Sequence, residues 1–230
     1  MNTEKKQKNR LLSFIIDGIL SGFTLGVGGM VSLSSDNKYI GAFLFALGLF
    51  TIVQFKYGLY TGKVGYIVNR KPSYILEVLI TLISNAAGAF IAALLLRQTR
   101  FFTSLISGMD TTLQQRVSAT MDDKIHDTPI SIFILSVFCG MLMFIAVESN
   151  RQCRAKGNFV AALFGVVFPV VVFIICGFNH CVADMFYYFF SGCPDIPAAL
   201  IYFALAITGN AVGGMLIPAM KKLSNQPLED

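Results

Sequence analysis

The sequence predicts an all-α membrane protein of six transmembrane helices, arranged as two inverted three-helix repeats in which the second and fifth helices are broken. Three observations lead there. The 230 residues are 55% hydrophobic and only 13% charged, with a mean hydropathy of +0.66, whereas a soluble domain carries about a quarter charged residues. Six apolar stretches approach or exceed the roughly 20 residues that a spanning helix needs. Short motifs also recur in the same order in the two halves of the chain.

The first span, 11–33, follows a basic start (Lys5, Lys6, Lys8, Arg10) that makes up an N-terminal segment, 1–10. It contains Asp17 and no A-x-A site, so it reads as a retained span rather than a cleaved leader. The second, 39–68, is too long for one straight crossing and is interrupted at Lys56-Tyr57-Gly58-Leu59-Tyr60-Thr61-Gly62-Lys63. The third is 73–96. A polar connection of mixed charge, 97–127, then crosses the outer face to the fourth span, 128–148. The fifth, 159–190, is again too long and is interrupted at Cys176-Gly177-Phe178-Asn179-His180, and the sixth is 196–220. Together these form one transmembrane domain, 11–222, with halves of about 11–96 and 128–220 and a tail, 223–230.

Two pairs of tetrapeptides relate the halves. Gly58-Leu59-Tyr60-Thr61 matches Gly177-Phe178-Asn179-His180, which aligns Thr61 with His180, and Asn85-Ala86-Ala87-Gly88 matches Asn210-Ala211-Val212-Gly213. With three spans per half, the second half enters from the opposite side of the membrane, and such folds place their site at the repeat interface. Placing both termini in the cytoplasm puts eleven Lys and Arg inside (Lys5, Lys6, Lys8, Arg10, Arg70, Lys71, Arg151, Arg154, Lys156, Lys221, Lys222) against Lys38, Arg97, Arg100, Arg116 and Lys124 outside. The net charge of +5 therefore records orientation in the cell membrane, and no nucleic-acid partner is expected. Lys56 and Lys63 remain, at membrane depth beside the first break, where a charge must line water or find a partner.

His180 is the only histidine within a span, and an ionisable group there is a functional candidate by default. Imidazole titrates near pH 6.5 when unperturbed, which suits proton exchange with a passing anion; a histidine that merely ties the break to a carbonyl is the alternative. Asp184 follows four residues later, on the same face of a helix starting at the break. It either faces the imidazole or pairs locally. Thr61, between Gly58 and Gly62, offers a hydroxyl and free backbone N–H groups to an anion, or serves close helix crossing. The pairs Gly22-x-x-x-Gly26 and Gly209-x-x-x-Gly213 fit packing. Phe45, Leu49 and Phe173 suit a hydrophobic gate, core or lipid-facing positions equally. Five cysteines without a CxxC spacing indicate neither disulfides nor zinc, and Cys176-x-x-x-His180-Cys181 carries no metal expectation. The sequence has no phosphate-binding loop, so neither a cofactor nor ATP-driven transport is expected.

Four motifs in order resemble the formate/nitrite transporter family from about residue 11 to 222. Leu59-Tyr60-Thr61-Gly62 resembles L-F-T-G; Lys124-Ile125-His126-Asp127-Thr128 resembles the lysine segment before the fourth helix. Gly177-Phe178-Asn179-His180-Cys181-Val182-Ala183-Asp184-Met185 resembles G-F-E-H-S-x-A-N-M, and Gly209-Asn210-Ala211-Val212-Gly213-Gly214 resembles G-N-x-x-G-G. The resemblance implies an aquaporin-like protomer within a homopentamer, each protomer with its own pore for formate, nitrite, hydrosulfide, acetate or lactate. By similarity His180 is the central pore histidine, Thr61 its partner and Lys124 the vestibule lysine. Asn179 and Asp184 fall on the substrate path, and Phe45, Leu49, Leu59, Tyr60 and Phe173 on the constriction. Asp184 and Gly140 stand where the family usually has asparagine, Gly58 where an acidic residue often precedes the loop, and Lys63 where a neutral residue is usual.

The expected function is passive or proton-coupled permeation of a small weak-acid anion, formate or nitrite foremost, across the bilayer. His180 exchanges a proton with the permeant, while Lys56 and Lys63 are candidates for electrostatic tuning of the pore, with snorkelling to the inner surface as the alternative. The alternatives are an aquaporin-like neutral-solute pore, although neither break carries Asn-Pro-Ala, and a membrane enzyme using His180 and Asp184.

Overall fold

The computed structural model describes residues 2–225, with side chains from residue 11 onward. The basic side chains expected to mark the N-terminal segment, and the tail from 226, therefore lie outside the described residues. Among the described residues the regular structure is helical apart from an isolated bridge between Leu105 and Thr112. Its long helices are α1 (Asn2–Leu33), α2 (Lys38–Phe55), α4 (Tyr74–Arg97), α7 (Pro129–Ala155), α8 (Phe159–Ile175) and α10 (Ile196–Leu223). Among the described residues, five helices are long and apolar enough to cross a bilayer, and α8 is a shorter apolar helix. Both interruptions occur where the polar residues predicted them. After α2 the chain turns at 56–59 into the single turn α3 (Tyr60–Lys63) and a 3₁₀ helix, Val64–Asn69; after α8 it turns at 176–180 into α9 (Cys181–Ser191).

Local chemistry accounts for these boundaries. Asn37 caps α2 by accepting from the Tyr39 and Ile40 N–H groups, Thr128 caps α7 ahead of Pro129, and Asn158 caps α8. Helix α2 stops at Lys56, which takes the left-handed conformation at φ 59°, a position usually given to glycine. The fourth span runs seven residues past its expected end at 148, to Ala155, because the polar residues Glu148, Asn150 and Gln152 find partners instead of ending the helix. The connection 97–127 also differs from the polar link expected: it contains α5 (Arg100–Thr103) and α6 (Leu113–Ile125). A Thr112/Gln115 capping box starts α6, whose Leu113, Val117, Met121 and Ile125 are buried at helical spacing.

Helices α1 and α4 pack closely together, as do α7 and α10, with α9 held against α1, α4 and α6. Small residues permit the approach. A Cβ on Gly22 would lie 2.0 Å from the Asn85 carbonyl oxygen, and one on Gly213 would lie 1.9 Å from that of Val137. The perimeter stays apolar, with Phe43, Leu47, Ile83, Phe90, Phe168 and Leu200 exposed. A soluble monomer seldom exposes so much apolar surface; a bilayer or further copies would cover it.

Candidate functional site

Each break is held by one asparagine, and the two make the same bonds. Asn85 on α4 accepts from the Tyr60 N–H at 2.8 Å and donates to the carbonyls of Gly58, at 2.8 Å, and of Gly18 on α1, at 2.9 Å. Asn210 on α10 accepts from the Cys181 N–H at 2.9 Å and donates to the carbonyls of Asn179 and of Ser136 on α7, both at 2.8 Å. In this pattern Tyr60 corresponds to Cys181 and Gly58 to Asn179. The residue equivalent to His180 is therefore Leu59, the N-cap of α3, and not Thr61 as the tetrapeptides align it. The tetrapeptide match therefore lies two residues out of the register that these bonds set.

His180 caps α9: its Nδ1 accepts from the Ala183 N–H at 3.2 Å, and its Nε2 lies 3.1 Å from Thr61 Oγ1. With Nδ1 accepting, the neutral ring carries its hydrogen on Nε2, which donates to Thr61. The threonine hydroxyl is then left with a hydrogen of its own to offer. Both residues are buried, His180 at 1% and Thr61 at 0% exposure. Phe173 lies beside the imidazole, with centroids 5.6 Å apart, and meets Phe45 edge-on at 5.4 Å. Leu49, Leu59 and Tyr60 are buried as well. The Tyr60 hydroxyl donates to the Ile207 carbonyl at 3.0 Å, tying α3 to α10.

Two cavities approach this apolar layer. One, of about 650 Å³, is lined by Leu59 and Gly62 together with Lys56, Lys63, Arg70, Arg151 and Arg154. The other, of about 340 Å³, is lined by Phe173 and Ala183 together with Lys38, Arg116, Lys124 and Asp184. His180 and Thr61 belong to neither lining and are buried.

Lys124, near the end of α6, donates to Asn179 Oδ1 at 2.8 Å and pairs with Asp184 at 3.3 Å. The other Asp184 oxygen accepts from the Tyr202 hydroxyl at 2.6 Å. Its carboxylate thus engages Lys124 and Tyr202, and no bond from it to the imidazole occurs among the described residues. Tyr202 escaped sequence reasoning because no local signal links residues 18 apart on different helices. The cavity arginines counted only as orientation markers in the sequence. Gly140 turns out to be a packing residue: a Cβ there would lie 2.2 Å from the Asn210 carbonyl oxygen. No three metal-binding side chains cluster among the described residues.

A sequence profile of the formate/nitrite transporter family matches residues 1–223. A formate channel, FocA, of Haemophilus influenzae is 24% identical over 80% of this chain and 68% of its own length. The uncharacterized transporter YrhG of Bacillus subtilis is 28% identical over 94% and 80%. A solved pentameric formate channel with formate bound superposes with a TM-score of 0.80 at 20% identity, covering 95% of this chain and 98% of that one. An FNT family ion channel does so with a TM-score of 0.78 at 17% identity, over 96% and 93%. These relatives are channels and transporters rather than enzymes.

Proposed function

The chain belongs to the formate/nitrite transporter family, and from that premise we propose that it is a passive or proton-coupled channel for small monovalent weak-acid anions, formate or nitrite foremost, acting as a homopentamer in the cell membrane. In this reading the chain crosses six times as two inverted repeats, α2 with α3 and α8 with α9 being the broken crossings. The matching bonds of Asn85 and Asn210 support that plan. Both termini face the cytoplasm, which makes the cavity at Lys56 the inner vestibule and the one at Lys124 the outer.

The observation that carries the reading is the Thr61–His180 hydrogen bond, buried in an apolar layer between two cavities that hold cationic side chains. Such cavities concentrate anions, and the layer of Phe45, Leu49, Leu59, Tyr60 and Phe173 rejects them while charged. An imidazolium donates from both nitrogens and so gives up the bond from the Ala183 N–H. The resting ring is therefore neutral, and it takes a second proton when an arriving anion offsets the lost cap. That proton then leaves with the permeant as neutral acid. Thr61 presents its hydroxyl to the anion at the same point.

Formate and nitrite flux into liposomes holding the purified chain tests this across external pH. Flux should rise toward acid in the wild type and lose its pH dependence in His180→Phe, with assembly unchanged. A variant whose uptake follows pH as the wild type does would sink the proton-exchange role.

A further inference from the structure

The inner cavity is far larger than a one-carbon anion needs. At about 650 Å³ it lies within the roughly 300–1,000 Å³ of small-molecule sites. Among the described residues, no acidic side chain lines it. The charge of Arg151 is met by Glu148, which accepts from its guanidinium at 3.0 and 2.8 Å. Lys63 is set against Thr81 and the Phe14 ring. The remaining cations, Lys56, Arg70 and Arg154, have no acidic partner within ion-pair distance among the described residues. Arg154 is held by the Gln54 side chain and the face of Phe159, both neutral, which position it without cancelling its charge.

We propose that this cavity is a binding site for soluble multivalent oxyanions of the phosphate and pyrophosphate class, and that its occupation blocks the pore from the cytoplasmic side. The assignment of sides rests on the function proposed above. Valence carries the argument. A potential acts on each charge of an ion, so a cavity that concentrates a monovalent anion about tenfold concentrates a trivalent one about a thousandfold. The permeant is therefore outcompeted by any multivalent anion small enough to enter. Such an anion cannot proceed. Past Leu59 lies the buried apolar layer, where the cost of a charge grows with its square, and one proton, which neutralises a weak-acid anion, leaves pyrophosphate charged. It stays at the mouth as a plug.

Inorganic pyrophosphate is the probe, with the full-length chain in phosphatidylcholine vesicles at constant ionic strength. Pyrophosphate on the cavity's side should cut formate flux tenfold or more at low salt, the block weakening as salt rises. Lys56→Gln combined with Arg70→Gln, both at exposed positions, should raise the half-blocking concentration at least tenfold. Undiminished formate flux with millimolar pyrophosphate on both faces would overturn the proposal and leave the channel reading standing. If the wild type passes no formate, that reading falls, and calorimetric titration of the solubilised chain with pyrophosphate decides the proposal instead: binding lost in the double variant supports it, and absence of binding overturns it. Vesicles containing phosphatidylglycerol separate a lipid headgroup from a soluble ligand. Block by that lipid without pyrophosphate would assign the cavity to lipid and overturn the soluble assignment.

Discussion

A buried carboxylate usually needs a compensating charge, and Asp184 finds one in Lys124 while Tyr202 supplies a further hydrogen bond. The family pattern carries its acid beside the histidine, where this chain has Asn179, and an asparagine where it has Asp184. Lys124 touches both positions, so the negative charge has changed residue without leaving the cluster. The sequence set Asp184 apart on its own; that Asn179 compensates for it became visible only when one ammonium was found to bridge residues 179 and 184. Asp184→Asn keeps the acceptor for Tyr202 and removes the counter-charge to Lys124. Inward formate flux at low external concentration should rise several-fold in that variant, as measured in the same liposome assay. Unchanged flux would mean that the charge of the cavity at Lys124 does not govern entry.

At the scale of elements, the breaks depend on amide side chains that replace the missing helical bonds. Asn85→Ala would orphan the Tyr60 N–H and the Gly58 carbonyl, at a cost of roughly 1–3 kcal/mol for each, and would take a second bond from the Gly18 carbonyl within α1. Thermal unfolding in detergent should show a large loss, and Asn210→Ala a similar one. Gly140→Ala should cost roughly 1–3 kcal/mol by forcing α7 away from α10, read in the same melts. Between α6 and α10 the tie is electrostatic. His126 Nε2 lies 3.1 Å from Asp195 Oδ2, and Nδ1 lies 3.0 Å from Asp122 Oδ1. The hydrogen bond to Asp195, then that to the Asp122 carbonyl, raises the His126 pKa above its ordinary 6.5. The Ala198 N–H, then His126, holds Asp195 below 3.8. The histidine's contribution is complete below pH 6.5 and is lost as pH rises through its raised value. That of Asp195 is complete above 3.8 and fades as pH falls through its lowered value. Amides at 122–127 should therefore be better protected at about pH 5.5 than at about pH 8, after correction for intrinsic exchange, and His126→Gln should abolish the difference.

Across the whole molecule, the buried share of the candidate spans ranges from 33% to 44%, so most of each span's surface is left for lipid or neighbouring copies. The proposed homopentamer should run in detergent at about five times the 25.2 kDa chain mass, as light scattering coupled to size exclusion would measure. A stable monomer that retains flux would remove assembly from the mechanism. The layout of the molecule was legible to unequal depths. Hydropathy located the apolar runs and polar interruptions located both breaks, because lipid penalises an unpaired backbone group wherever it occurs. Helix α6 was missed because a short amphipathic helix in a polar connection leaves too weak a mark beside long apolar spans.

What the sequence determined by itself was the membrane class, the breaks, and His180 with Thr61 as candidates, since the cost of a polar group in an apolar run is a local property. The tertiary structure alone decided which partner each polar group takes. It placed Asp184 against Lys124 and Tyr202, matched Leu59 to His180, turned Gly140 into a packing contact and gathered lysines and arginines from separate helices around one cavity. Hydrogen bonds and charge pairs act over a few ångströms of space, and residues far apart in the chain come within that range only after the helices pack.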